Sequence, residues 1–109
     1  MLFRSRRATL DKTLDDAGVI AAQRLAGVLE QEARGQLAGI TISDVTLTAD
    51  IRTARSEVTL RVPLTATGTM REHFIAQHRQ RFGYAPESDC EWVIAAITAE
   101  VVGASTIVG

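Results

Sequence analysis

The sequence predicts an α+β fold in two layers, an antiparallel sheet with two helices on one face, in the order helix, strand, strand, helix, strand. Three observations carry this: a stretch with apolar residues three and four apart, two runs of strict alternation, and a nearly continuous β-branched run towards the end.

The first helix is expected over Leu14 to Leu37. Leu25, Ala26, Leu29, Ala33 and Leu37 recur at three and four, while Gln23, Arg24, Gly27, Glu30, Gln31 and Arg34 fill the other side. Asp15 and Asp16 suit the positive end of the helix dipole, and Gly35 and Gly39 mark alternative stops. Gly18, Val19 and Ile20 weaken the pattern at its start.

Two strands follow. Val45, Leu47, Ala49 and Ile51 alternate with Thr46, Thr48, Asp50 and Arg52; Val58, Leu60, Val62 and Leu64 then alternate with Thr59, Arg61, Pro63 and Thr65. The intervening Thr53-Ala54-Arg55-Ser56 forces antiparallel pairing but lacks the Gly or Asn of a tight hairpin, so a looser turn is expected. Pro63 cannot donate to a ladder and belongs at a strand end or on an edge.

The second helix is read from a capping box at Thr69-Met70-Arg71-Glu72 to Phe82, stopped by Gly83 and Pro86. Phe74, His78 and Phe82, four apart, share one side, and Phe82 is expected to be buried there. Trp92 to Val102, with Val93, Ile94, Ile97, Thr98, Val101 and Val102, reads as a strand buried on both faces or extending across the sheet.

A chain of 109 residues, 46% hydrophobic, has room for one modest core. We read residues 10–109 as a single α+β domain and residues 1–9 as a disordered or artefactual tail. Leu2-Phe3-Arg4-Ser5 can be encoded by CTC-TTC-CGA-TCT, which resembles the end of a common sequencing adapter. The element order equals a ferredoxin-like pattern lacking its first strand, whose place would be between the second hairpin strand and the last strand. The expectation is that a truncation removed it; the alternatives are that Phe3 to Leu10 supplies a poor substitute or that the sheet has another order.

A net charge of -1, with Arg4, Arg6 and Arg7 as the only basic cluster, offers nothing for nucleic acid. Lone Cys90 cannot close an internal disulfide, and no apolar run approaches the roughly 20 residues of a membrane helix. A reduced, cytoplasmic setting without membrane contact is the expectation.

No catalytic, cofactor-binding or metal residues are assigned. His73 and His78 stand about 140° apart around a helix and cannot share a metal. His78, between two phenylalanines and without an orienting carboxylate on its face, reads as a packing histidine. Cys90 lacks a matching base and reads as a bystander thiol. The pairs Asp15/Asp16 and Glu30/Glu32 read as solvated or dipole-serving carboxylates, and Gly103-Ala104-Ser105 is not a phosphate loop.

The stretch Phe74-x-x-x-His78-x-x-x-Phe82-Gly83-Tyr84-Ala85-Pro86 resembles the C-terminal region of the hydantoinase A/oxoprolinase family, which includes ATP-dependent hydantoinase, 5-oxoprolinase and the acetone and acetophenone carboxylase large subunits. Leu29-Glu30-Gln31-Glu32-Ala33-Arg34 is similar to the family's Leu-Glu-x-Glu-Ala helix, Ala49-Asp50-Ile51-Arg52 and Leu60-Arg61-Val62-Pro63 to its strand pair, and Glu91 to Val102 to its closing strand. The chain departs from the family at Thr53-Ala54-Arg55-Ser56, where an aromatic residue and a Gly-Gln pair are usual, and at Ile94-Ala95-Ala96, where Asn-Leu-Arg is frequent. The resemblance implies a C-terminal structural or assembly domain of an ATP-dependent cyclic-amide hydrolase or related carboxylase, inert alone. ATP and Mg would belong to the parent protein, and the partners would be the rest of the subunit and a second, hydantoinase B-like subunit or domain. The alternative is a stand-alone ferredoxin-like module that binds a partner or self-associates.

Overall fold

The computed structural model describes residues 2–104. The elements are β1 (Leu2–Thr13), α1 (Asp16–Gly35), β2 (Ile42–Thr53), β3 (Leu60–Pro63), α2 (Thr67–Phe82) and β4 (Trp92–Gly103). The strands form one antiparallel sheet in the order β1-β4-β2-β3. Buried residues of both helices, from Val19 to Leu29 and at Met70 and Phe74, join one cluster with Ala49, Ile51, Leu60, Val62, Ile94, Ile97 and Ala99 of the sheet. The two-layer α+β expectation stands.

The N-terminal expectation does not. Leu2 to Thr9, read as part of a disordered tail, pairs residue by residue with Gly103 to Ala96. The cause lies in β4: bonded only to β2, it would leave one edge of a largely buried strand without partners, and β1 satisfies those backbone groups. A register shift between Thr9 and Lys12 accommodates Asp11, whose φ of 51° is one that a short polar side chain tolerates. β4 also bonds directly to β2, so the sheet has no vacant lane between the hairpin and the last strand. The sheet takes another order, with the additional strand outside β4.

The junction between β1 and α1 explains why the helix pattern starts poorly. Leu14 N donates to Trp92 O (2.8 Å) and Asp15 N to Thr13 O (2.9 Å), a tight reversal closed when Asp15 Oδ1 accepts from Gly18 N (2.7 Å). A Cβ on Gly18 would stand 1.9 Å from the Thr13 carbonyl oxygen, so this position requires glycine for its closeness to backbone.

Three further boundaries differ from expectation. β3 ends its pairing at Leu60, leaving Val58 and Thr59 in a loop, and it is the outer strand of the sheet, which places Pro63 at an edge. α2 begins at Thr67, so Thr69 lies inside its first turn and the capping box does not form. Its cap residue, Ala66, has no capping side chain, and Thr67 Oγ1 instead donates to Asp16 Oδ1 of α1 (2.7 Å). Phe82, expected in the core, is 37% exposed, because α2 has passed β3 by its last turn.

The other face of the sheet is polar. Asp50 of β2, nearly buried, accepts from Arg7 of β1 (3.0 Å) and Arg61 of β3 (3.2 Å), and Arg61 reaches Glu100 of β4 at 3.8 Å. The stems of the two arginines thus help cover the small residues of the central strands while their charges remain in solvent. No helix among the described residues is long and apolar enough to cross a membrane.

Candidate functional site

The aromatic and histidine residues of α2 open onto a cleft of about 250 Å³. Phe74 forms its floor, packed against Trp92 with ring centroids 5.0 Å apart and the planes inclined at 59°. His78 stacks one turn on, 5.9 Å from Phe74 and 4.7 Å from Phe82. Gly83, with φ of 82°, then turns the chain back, its amide bonding to Arg79 O, and Tyr84 folds to within 5.3 Å of the imidazole. The fourfold spacing did bring these residues together.

His78 Nδ1 lies 2.7 Å from the Tyr84 carbonyl oxygen. A carbonyl only accepts, so Nδ1 carries the proton and the neutral ring has its lone pair on Nε2. The packing histidine therefore also ties down the turn after α2. Among the described residues, no hydrogen-bond partner falls on Nε2.

The opposite wall comes from Thr53 at the end of β2, Ser56 and Val58 in the loop, Leu60 at the start of β3, and Glu87. None of these was singled out from sequence as a site residue. The one signal was the missing Gly or Asn in the hairpin break, which foretold a wide loop without saying what it would line. Two anchors hold this wall: Trp92 Nε1 donates to Glu87 O (2.7 Å), and Ala54 N donates to Glu91 O (2.7 Å). Val58, Phe82 and Tyr84 make an exposed apolar rim.

The remaining sequence candidates lie apart from the cleft or serve structure. His73 points to solvent on α2. Asp15 caps α1 and Asp16 accepts from Thr67. Glu30 pairs with Arg34 (2.7 Å) and Glu32 with Arg6 (3.2 Å). Cys90 lies half-buried with Sγ 3.7 Å from Glu87 Oε2. Glu87, Asp89 and Cys90 do converge, but Arg55 sits on both carboxylates at 3.4 Å, and Asp89 first, then Glu87, raises the guanidinium's pKa above its ordinary value. That cation stands where a metal ion would, shared between the two carboxylates. Gly103 ends β4 and Ala104 follows it, and Ser105 lies outside the described residues.

No protein-family model matches the chain, and no curated protein matches it. Two solved structures share its fold. A nucleotide-free acetone carboxylase, from a study of ATP-dependent acetone carboxylation, superposes with a TM-score of 0.68 over 95% of this chain at 10% identity. An ATP-dependent caprolactamase from Pseudomonas jessenii superposes with a TM-score of 0.67 over 97% at 21% identity. At these identities the likeness is one of fold. This chain spans 17% of the length of each. Acetone carboxylase is among the enzymes that the hydantoinase A/oxoprolinase resemblance names.

Proposed function

We propose that this chain is the C-terminal structural and assembly domain of an ATP-dependent cyclic-amide hydrolase subunit of hydantoinase or 5-oxoprolinase type, and that it is not catalytic alone. The observation that carries the reading is the match of nearly the whole chain to a small part of two larger ATP-dependent proteins. The aromatic-histidine turn and the strand pair quoted above support it independently of the fold.

Neither helix N-terminus of this chain suits the phosphates of a nucleotide. Phosphates favour helix N-termini, yet α1 begins with Asp15 and Asp16, and Asp16 also stands at the start of α2 through Thr67. Carboxylates at both sites would repel a triphosphate, so we assign ATP and Mg to the rest of the subunit, in keeping with the needs of phosphoryl transfer. A hydantoinase B-like partner subunit or domain and a cytoplasmic location belong to the same proposal.

Sequencing the DNA that flanks this gene tests the reading first: an in-frame upstream region coding for an actin-like part is expected. Deleting residues 2–109 from that longer subunit should then abolish co-purification with the second subunit while ATP binding persists. A start codon with a ribosome site at Met1 would overturn the proposal.

A second reading, a self-associating or partner-binding module, is favoured by the outer edge of β1, which no strand covers among the described residues, and by the apolar rim of the cleft. Sedimentation showing a monomer over a wide concentration range would remove its self-associating form.

A further inference from the structure

We infer that the cleft at the end of α2 binds a small, flat cation bearing N–H donors, a guanidinium or amidinium compound.

The polar groups of the cleft accept more than they donate. With Nδ1 donating to Tyr84 O, the neutral tautomer of His78 that this bond selects presents its lone pair at Nε2. Glu87 contributes a carboxylate, of which Oε2 is shared with Arg55 and Cys90 while Oε1 has no protein partner among the described residues. The hydroxyls of Thr53 and Ser56 can accept or donate. Among the described residues neither lysine nor arginine lines the cleft; Arg55 beside it is shared between Glu87 and Asp89, so two carboxylates against one guanidinium leave a net negative charge at this wall. Acceptors and one negative charge select a positively charged donor.

The walls select a flat one. His78, Phe82 and Tyr84 lie within 6.4 Å of one another, and Phe82 and Tyr84 keep exposed ring surface at the rim. A planar cation can stack on such faces and still direct N–H groups sideways to acceptors. The protein uses this contact twice already: Arg81 places its guanidinium 5.7 Å from the Phe82 ring centre, and Arg71 lies 5.1 Å from that of Trp92. Arg81 does not line the cleft. A volume of about 250 Å³ falls below that of most drug-sized pockets. It suits a guanidino head with a short alkyl group.

The test titrates ethylguanidinium chloride into the intact chain at constant ionic strength. Emission of Trp92, the only tryptophan and in contact with Phe74, and the ring shifts of His78 and Tyr84 by NMR provide the readouts. Saturable binding is expected, roughly tenfold tighter than for N-ethylurea, its neutral counterpart of similar shape. Glu87→Gln should reduce ethylguanidinium binding to the level of the urea, and Phe82→Leu, which keeps bulk and removes the π face, should weaken it several-fold. Far-UV circular dichroism establishes that each variant is folded. A response that does not saturate, equal affinity for urea and guanidinium, or indifference to Glu87→Gln would each overturn the assignment.

Discussion

The two helices lie on the same sheet and are held very differently. α1 buries Gly18, Val19, Ala22, Ala26, Leu29 and Ala33 along its whole length, whereas α2 buries only Met70 and Phe74, both in its first half. Beyond Phe74 the helix still touches the outer strand, Gln77 Nε2 donating to Arg61 O (2.7 Å), but it buries no further side chain fully, and the face of α2 that enters the core becomes the wall of a cleft. Periodicity states which side of a helix is apolar; the reach of the layer beneath decides how deep each turn goes.

Substitutions along that gradient sharpen the contrast. Phe74→Ala removes a fully buried ring that touches Trp92, and a loss of about 3–5 kcal/mol is expected in chemical denaturation. A loss below about 1 kcal/mol would mean that α2 is as loosely held at Phe74 as at its end. Gly18→Ala tests the other helix. Its methyl group meets the Thr13 carbonyl and should cost about 1–3 kcal/mol, seen as a lower urea midpoint with an unchanged slope.

Phe82→Ala should cost only roughly 1–2 kcal/mol, since the ring is partly in water and its principal contact is the His78 ring. A cost as large as that of Phe74→Ala would restore the deep burial inferred from spacing. The smallest effect, about 1 kcal/mol, is expected for His78→Gln, which loses a ring contact and the bond to Tyr84 O. Amide exchange of Gly83 and Tyr84 in that variant should nevertheless accelerate, because the turn after α2 loses its side-chain tether.

These residues also show what a sequence can disclose. α1 and β2 were legible because each has one wet and one dry side, so burial writes a period into the text. β1 was not, since its place depends on β4, some ninety positions away, and only Ala8 and Leu10 pack on the main core. Its other positions answer to backbone pairing, to which almost any residue can contribute. The cleft was half legible for the same reason. Phe74, His78, Phe82, Tyr84 and Glu87 are local in sequence, whereas Thr53, Ser56 and Val58 arrive from the end of β2 and the loop after it. A capping box at Thr69 was a false signal: Thr67 bonds to Asp16, and the helix starts before the motif.

The position of β4 has a kinetic consequence. It is the fourth strand in the chain and the inner partner of both β1 and β2, with Leu2 opposite Gly103. During synthesis only the four-residue β2–β3 pairing can form before residues 92–103 emerge, and β1 must wait with no strand to join. Completion of the sheet then closes a loop of nearly the whole described chain, a topology of high contact order that folds slowly for its size. Stopped-flow refolding should accordingly show Trp92 becoming buried in the same late step in which the β1 amides gain protection.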